Sequence, residues 1–288
     1  MIPLLLISCA ASELSQSWQL DRLRILGAQA EPAEPSPGDI VQFTSFVFAP
    51  REQDVDSVIW FSCLPEGATN FGCSLEGVSL DSLGTDNQDE LSPEEQAELF
   101  EQLLEAGFAG VEPTFPPQWQ VPGDALDGLD EADRLEGLSA LATITALPSV
   151  EGADPEIGYK RFPVSEAASP NQNPAIREIQ VDGTAYAEGD LFTASPGQEY
   201  EFDPVLAEES VETYSYTKPD GDTETREEEP YFTWYAEGGT LLQPFSLYPY
   251  NAAAWTAPEE NFEGVLAVVV RDRRGGMNWS WLRVRVEP

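Results

Sequence analysis

Carboxylates are the only chemically versatile side chains that this sequence supplies in number. There are 52 Asp and Glu against 14 Lys and Arg, a formal net charge of -38 over 288 residues. Histidine is absent, which removes Ser-His-Asp and Cys-His catalysis, His-ligated zinc and the usual general base near neutrality. Neither G-x-G-x-x-G nor G-x-x-x-x-G-K-[ST] occurs, and no G-x-S-x-G elbow is present. Glycoside hydrolysis by an Asp/Glu pair is the one enzymatic route that the composition leaves open, and the chain is read as non-enzymatic. Calcium is the more natural use of clustered acid. Asp124, Asp127, Asp130, Glu131 and Asp133 form one run, and Asp220, Asp222 and Glu224 another. Neither has EF-hand spacing, and solvated acidic faces look the same, so no cofactor is expected and no residue is assigned to a metal. A pI near 4.1 with only two lysines, Lys160 and Lys218, excludes nucleic acid as a partner, because such binding needs clustered basic groups.

Three cysteines remain as reactive groups. The chain begins Met1-Ile2-Pro3-Leu4-Leu5-Leu6-Ile7-Ser8-Cys9. Leu6-Ile7-Ser8-Cys9 resembles the lipobox of a bacterial lipoprotein signal, which implies cleavage before Cys9 and lipidation at that residue. The apolar run is far short of the ~20 residues that a membrane span requires. Ala10 at the next position implies sorting to the outer membrane. Cys63 and Cys73 stand in a C-x9-C arrangement around Pro65, Gly67 and Gly72. In an exported chain two such cysteines are expected to pair; two inert thiols are the other reading.

The elements that would position these groups read as strands. Leu20–Ala28 alternates, with Leu23 and Ile25 against Arg22 and Arg24, and Ile40–Phe48 and Ser57–Cys63 are β-branched and aromatic runs bounded by Pro, Gly and Asp, with Trp60 in the third of these strands. Strand, Pro-Gly turn, strand and then a tryptophan-bearing strand is how an immunoglobulin-like sandwich opens. An insertion at about 66–134 follows. Within it Ser92-Pro93-Glu94-Glu95 is a capping box, after which Ala97, Leu99, Phe100, Leu103 and Leu104 recur at helical spacing up to Gly107. Strands return at Leu138–Leu147 and Ile157–Val164. Ser165–Pro174 reads as a linker. Seven further strands are expected at Ala175–Val181, Gln198–Phe202, Glu212–Tyr216, Tyr231–Ala236, Ala253–Thr256, Val265–Arg271 and Asn278–Val286, the last pair joined through Gly275 and Gly276.

The aromatics divide by context. Trp60, Trp234 and Tyr235 lie in strands and are expected in cores. Phe115, Trp119, Phe245, Tyr248 and Tyr250 lie in Pro-rich loops, where they either pack locally or face a partner. Trp279 and Trp281, with Met277 and Arg283, fall on the side of the last strand opposite Leu282, Val284 and Val286. That surplus of rings is expected to make an interdomain contact.

Thr233-Trp234-Tyr235-Ala236, Trp255-Thr256-Ala257-Pro258 and Val268–Gly276 resemble bacterial Ig-like and PKD-like repeats. The whole chain is also similar to acidic lipoproteins of the kind found in myxobacteria, through 30–39, 125–129, 159–161 and 171–174. That resemblance implies architecture and location only. The expected organisation is all-β: a signal and tether (1–19), an Ig-like domain with its insertion (20–165), a linker (166–174) and an Ig-like/PKD-like domain (175–288). The expected role is that of a lipid-anchored structural or protein-binding subunit of the cell envelope, its partners the membrane and other envelope proteins. A calcium- or carbohydrate-binding adhesin is the alternative.

Overall fold

The computed structural model describes residues 16–51, 54–69, 72–73, 92–150, 152–217 and 222–288. Period-2 runs become strands with one face inward: in Ile40–Phe48, Val41 and Phe43 are buried while Ile40, Gln42 and Thr44 are exposed. In the first domain Arg24–Glu31, Ile40–Phe48 and Gln118–Gln120 form one sheet in that order. Phe108–Glu112, Val55–Cys63, Leu138–Pro148 and Glu156–Val164 form the other. All neighbours are antiparallel. The chain crosses between sheets after its second strand, which is the immunoglobulin arrangement. Trp60 is fully buried between the sheets and stacks on Phe43 at 5.0 Å between ring centroids.

Two segments inside 66–134 belong to the sandwich and not to an insertion. Phe108–Glu112 and Gln118–Gln120 lie in opposite sheets, and Val121 and Leu126 are buried behind them. Their composition hides them, since the four residues between Pro117 and Pro122 are too few to carry a visible period. The helix runs Pro93–Glu105. Leu103 packs on Phe61 and Cys73 with Leu99 alongside, whereas Phe100 and Leu104 are exposed, so the apolar row in contact is narrower than the spacing predicts. The side chain of Ala97 lies outside those described. Cys63 and Cys73 are disulfide-bonded, which ties the end of Val55–Cys63 to the short Gly72–Cys73 strand beside this helix. Closing so short a loop stabilises the folded chain by roughly 2–3 kcal/mol in the chain-entropy model.

The second domain stacks two five-stranded sheets. One is ordered Thr184–Tyr186, Ile176–Val181, Glu199–Leu206, Ala253–Thr256, Thr240–Leu241. The other is ordered Leu191–Ala194, Met277–Val286, Phe262–Arg271, Tyr231–Ala236, Phe245–Leu247, and its first strand runs parallel to its second. Phe202, Phe232, Trp234, Trp255 and Leu282 fill the space between. The expected strand at Glu212–Tyr216 exists as Thr213–Thr217 but, among the described residues, pairs only with Thr223–Glu227, as a hairpin outside the two sheets. Both domains are thus Ig-like sandwiches. Among the described residues no helix is long and apolar enough to cross a membrane.

Candidate functional site at the domain seam

The two long C-terminal strands have two apolar faces. In Phe262–Arg271, Leu266, Val268 and Val270 enter the second domain's core, while Ala267 and Val269 are buried on the other side. In Met277–Val286, Leu282, Val284 and Val286 face inward and Met277, Trp279 and Trp281 face outward. A strand apolar on both faces must be covered twice. The second cover is the first domain: Leu20, Leu26, Phe46 and Phe48 pack there with Tyr235. Trp279 stacks on Phe46 with 5.5 Å between centroids and 10° between planes. Gly27 makes room for the indole, since a Cβ at that position would stand 2.8 Å from Trp279 Cε3. The interdomain role expected of the Trp279 face is therefore observed. The described end of the expected tether, at Trp18, is also held. The Leu20 N–H donates to the Ala236 carbonyl at 2.9 Å, the Ala236 N–H donates to the Trp18 carbonyl at 3.1 Å, and Trp18 packs against the second core.

Beside this apolar half lies a polar one, centred on Arg274. Its guanidinium meets Glu228 at 2.9 Å, Glu212 at 3.1 Å and Glu34 of the first domain at 3.6 Å, and lies over the Tyr214 ring. The Glu228 side chain is 1% exposed and that of Glu34 8%. Glu34 also accepts from the Ser165 hydroxyl and the Asn171 N–H, each at 2.6 Å. Asp272 accepts from the backbone N–H groups of Arg274, Gly275 and Gly276 and, at 2.8 Å, from Asn171 Nδ2. Lys160 of the first domain donates to the Gly275 carbonyl. The segment read as a linker is therefore built in: Ser165 and Asn171 are buried, and Asn173 bonds to Ala30, Glu31 and Met277. Buried carboxylates accept from the Ser165 hydroxyl and from the backbone and side-chain N–H groups of Asn171, a condition that Ser, Pro and Asn composition does not disclose.

Burial pushes the Glu228 carboxyl up to about 7, against the pull of the Glu212 N–H and Arg274, with Asp272 pushing the same way as burial. Burial lowers the Lys160 ammonium to about 8, with Asp272 opposing and Arg271 assisting. The signs are opposite in effect. A carboxyl raised on folding contributes stability that is complete below its unfolded value of 4.5 and is lost as pH rises through about 7. An ammonium lowered on folding contributes stability that is complete above 10.5 and is lost as pH falls through about 8. Between about pH 5 and pH 8 the wild type should lose on the order of 3 kcal/mol more stability than Glu228→Gln. Urea unfolding across that range checks this. Parallel pH profiles for the two proteins would contradict it.

The other residues singled out in the sequence are placed elsewhere. Asp130 caps the short Glu131–Glu136 helix by accepting from the Asp133 N–H at 2.9 Å, and Asp124 and Asp127 lie in an exposed turn. Asp222 and Glu224 belong to the projecting hairpin, where Glu224 pairs with Arg226. Asp220 and Cys9 lie outside the described residues. Among the described residues no three His, Cys, Asp or Glu side chains converge as a metal site. Trp119 is half-buried against Phe162, Phe115 stacks on Phe108 while remaining exposed, and Phe245, Tyr248 and Tyr250 are exposed at one edge of the second domain. Sequence reasoning missed the Arg274 cluster, taking Asp272–Gly276 for a hairpin turn alone. The available signal was three of 14 basic residues crowded into Arg271–Arg274.

No family model matches the chain, and no curated protein matches it. Among solved structures it is similar to the D00-D0 domain of intimin, at 8% identity over 93% of this chain and 99% of that one, with a TM-score of 0.25. It is similar to the fibronectin(III)-like modules of Clostridium thermocellum CbhA at 7% identity, over 91% and 94% of the two chains, with a TM-score of 0.28. A nucleoside hydrolase-related hypothetical protein from Saccharophagus degradans shares 14% identity over 43% of this chain and 28% of its own length, at a TM-score of 0.27. Likenesses this faint carry no argument, and the sandwich assignment stands on strand order and pairing.

Proposed function

We propose that this chain is a non-enzymatic, lipid-anchored structural or protein-binding subunit of a bacterial cell envelope. The seam is the observation that carries the reading. Its deeply buried ionisable groups, Glu34, Lys160, Glu228 and Asp272, are all engaged in joining or bracing the two sandwiches. Such a fold presents surfaces at fixed positions, as a structural or docking module requires. Leu242, Phe245, Leu247 and Tyr250 supply an apolar surface at one edge of the second domain, with Tyr250 84% exposed. The anchor rests on Leu6-Ile7-Ser8-Cys9, and Ala10 favours the outer membrane. In detergent phase separation of cells expressing the full chain, the wild type should enter the detergent phase and Cys9→Ser the aqueous phase. Identical partitioning of the two would overturn the anchor. A second reading, the carbohydrate-binding adhesin, is favoured by a cationic cleft at the seam.

A further inference from the structure

An open cleft of about 500 Å³ lies at the seam, between the edge strand Glu156–Val164 of the first domain and the Asp272–Gly276 turn of the second. Lys160, Arg161, Arg271, Arg273 and Arg274 line it, with one acid, Glu136. Five of the 14 basic residues in a chain of net charge -38 thus contribute to the lining of one concavity. Three of the five hold the seam together. Lys160 bonds to Gly275, Arg271 donates to the Leu26 carbonyl and the Thr233 hydroxyl, and Arg274 is clasped by carboxylates.

The other two are not needed for that. Arg161 is exposed and has no ion-pair partner among the described residues. Among the described residues Arg273 makes one loose pair, 3.6 Å to Glu229, whose side chain is 75% exposed. Arg273 also sits at φ +72°, a left-handed conformation that glycine adopts without strain and arginine does not. A strained, exposed arginine beside two glycines is more than the turn requires, and such outliers gather where a side chain is held ready for use. Tyr231 places its ring 5.9 Å from the Arg273 guanidinium, and Tyr159, 50% exposed, also lines the cleft.

We propose that this cleft binds an acidic oligosaccharide, with Arg161 and Arg273 forking its carboxylate or sulfate oxygens and Tyr159 offering a flat face to a sugar ring. Guanidinium forks match such planar or tetrahedral oxyanions in a bidentate manner. The volume falls within the range of small-ligand sites. An acidic peptide fits less well. Extended peptides dock along a free sheet edge, and here the Gly275 turn closes that edge: Lys160 bonds to it, and Pro163 stands 2.7 Å from where a Cβ on Gly275 would be. The proposal goes beyond the envelope role and stands or falls apart from the lipid anchor.

Calorimetric titration of the full chain tests it, with an oligogalacturonate, a sulfated oligosaccharide, a neutral oligosaccharide of equal length and polyglutamate as probes. At least one acidic sugar should bind, and more weakly as salt rises. Which one binds identifies the oxyanion. Arg161→Gln and Arg273→Gly should each weaken binding roughly ten- to hundredfold. Neither should lower the melting temperature appreciably, because Arg161 makes no ion pair among the described residues, and at 273 the relief of the left-handed backbone offsets the loss of an exposed pair with Glu229. The proposal is overturned by no binding of either acidic sugar, by equal binding of the neutral sugar or polyglutamate, or by wild-type affinity in both variants.

Discussion

Arg274→Met should destabilise the chain by about 3–5 kcal/mol at neutral pH, the range for removing one member of a buried ionic cluster. The loss comes from what remains. Glu228, Glu34 and Glu212 would face one another without the cation that neutralises them, two of them nearly inaccessible to water. The deficit should shrink near about pH 5, where Glu228 already holds a proton and less uncompensated charge is left buried. Replacing the two most buried partners as well should restore much of the stability, because amides cost less to bury than carboxylates left without a counter-charge. Arg274→Met with Glu34→Gln and Glu228→Gln is therefore expected to be more stable than Arg274→Met alone. Urea unfolding at the two pH values measures all three proteins. A single variant as stable as the wild type would mean that Arg274 does not hold the seam.

Trp279→Ala should cost about 3 kcal/mol, toward the lower end of large aromatic truncations because the indole is only partly buried. Its distinguishing effect is on cooperativity. Each sandwich keeps its own core, since Trp60 and Phe43 fill the first and Phe202, Trp234 and Trp255 the second. The variant should therefore unfold in two steps and become sensitive to protease between residues 165 and 174, where Ser165 and Asn171 are buried in the wild type. Gly27→Val should act in the same direction by driving a side chain into the space that the indole occupies. Limited proteolysis with mass mapping reads the effect. Equal protection of wild type and Trp279→Ala would show that the stack does not join the domains.

How much of this was legible depended on the range of the signal. Ile40–Phe48, Val55–Cys63, Tyr231–Ala236 and Met277–Val286 announce themselves, because alternation and β-branched content are local. Even the seam was half visible, in the rings on the wrong side of a strand whose core face was already occupied. Gln118–Gln120 was not visible, because only its pairing with Ile40–Gln42, some eighty positions earlier, makes it a strand. The polar clamp was invisible for the same reason. Glu34, Lys160, Asn171, Glu212, Glu228 and Arg274 are meaningless apart and meet only when both sandwiches are folded and docked. Among 52 acidic residues nothing local marks the few that are buried.

That the two sandwiches form one cooperative body is tested most directly by scanning calorimetry of the full chain. A single transition is predicted, with equal calorimetric and van't Hoff enthalpies. Two resolved transitions, or a calorimetric enthalpy near twice the van't Hoff value, would show independent domains on a slack linker and contradict the seam described here.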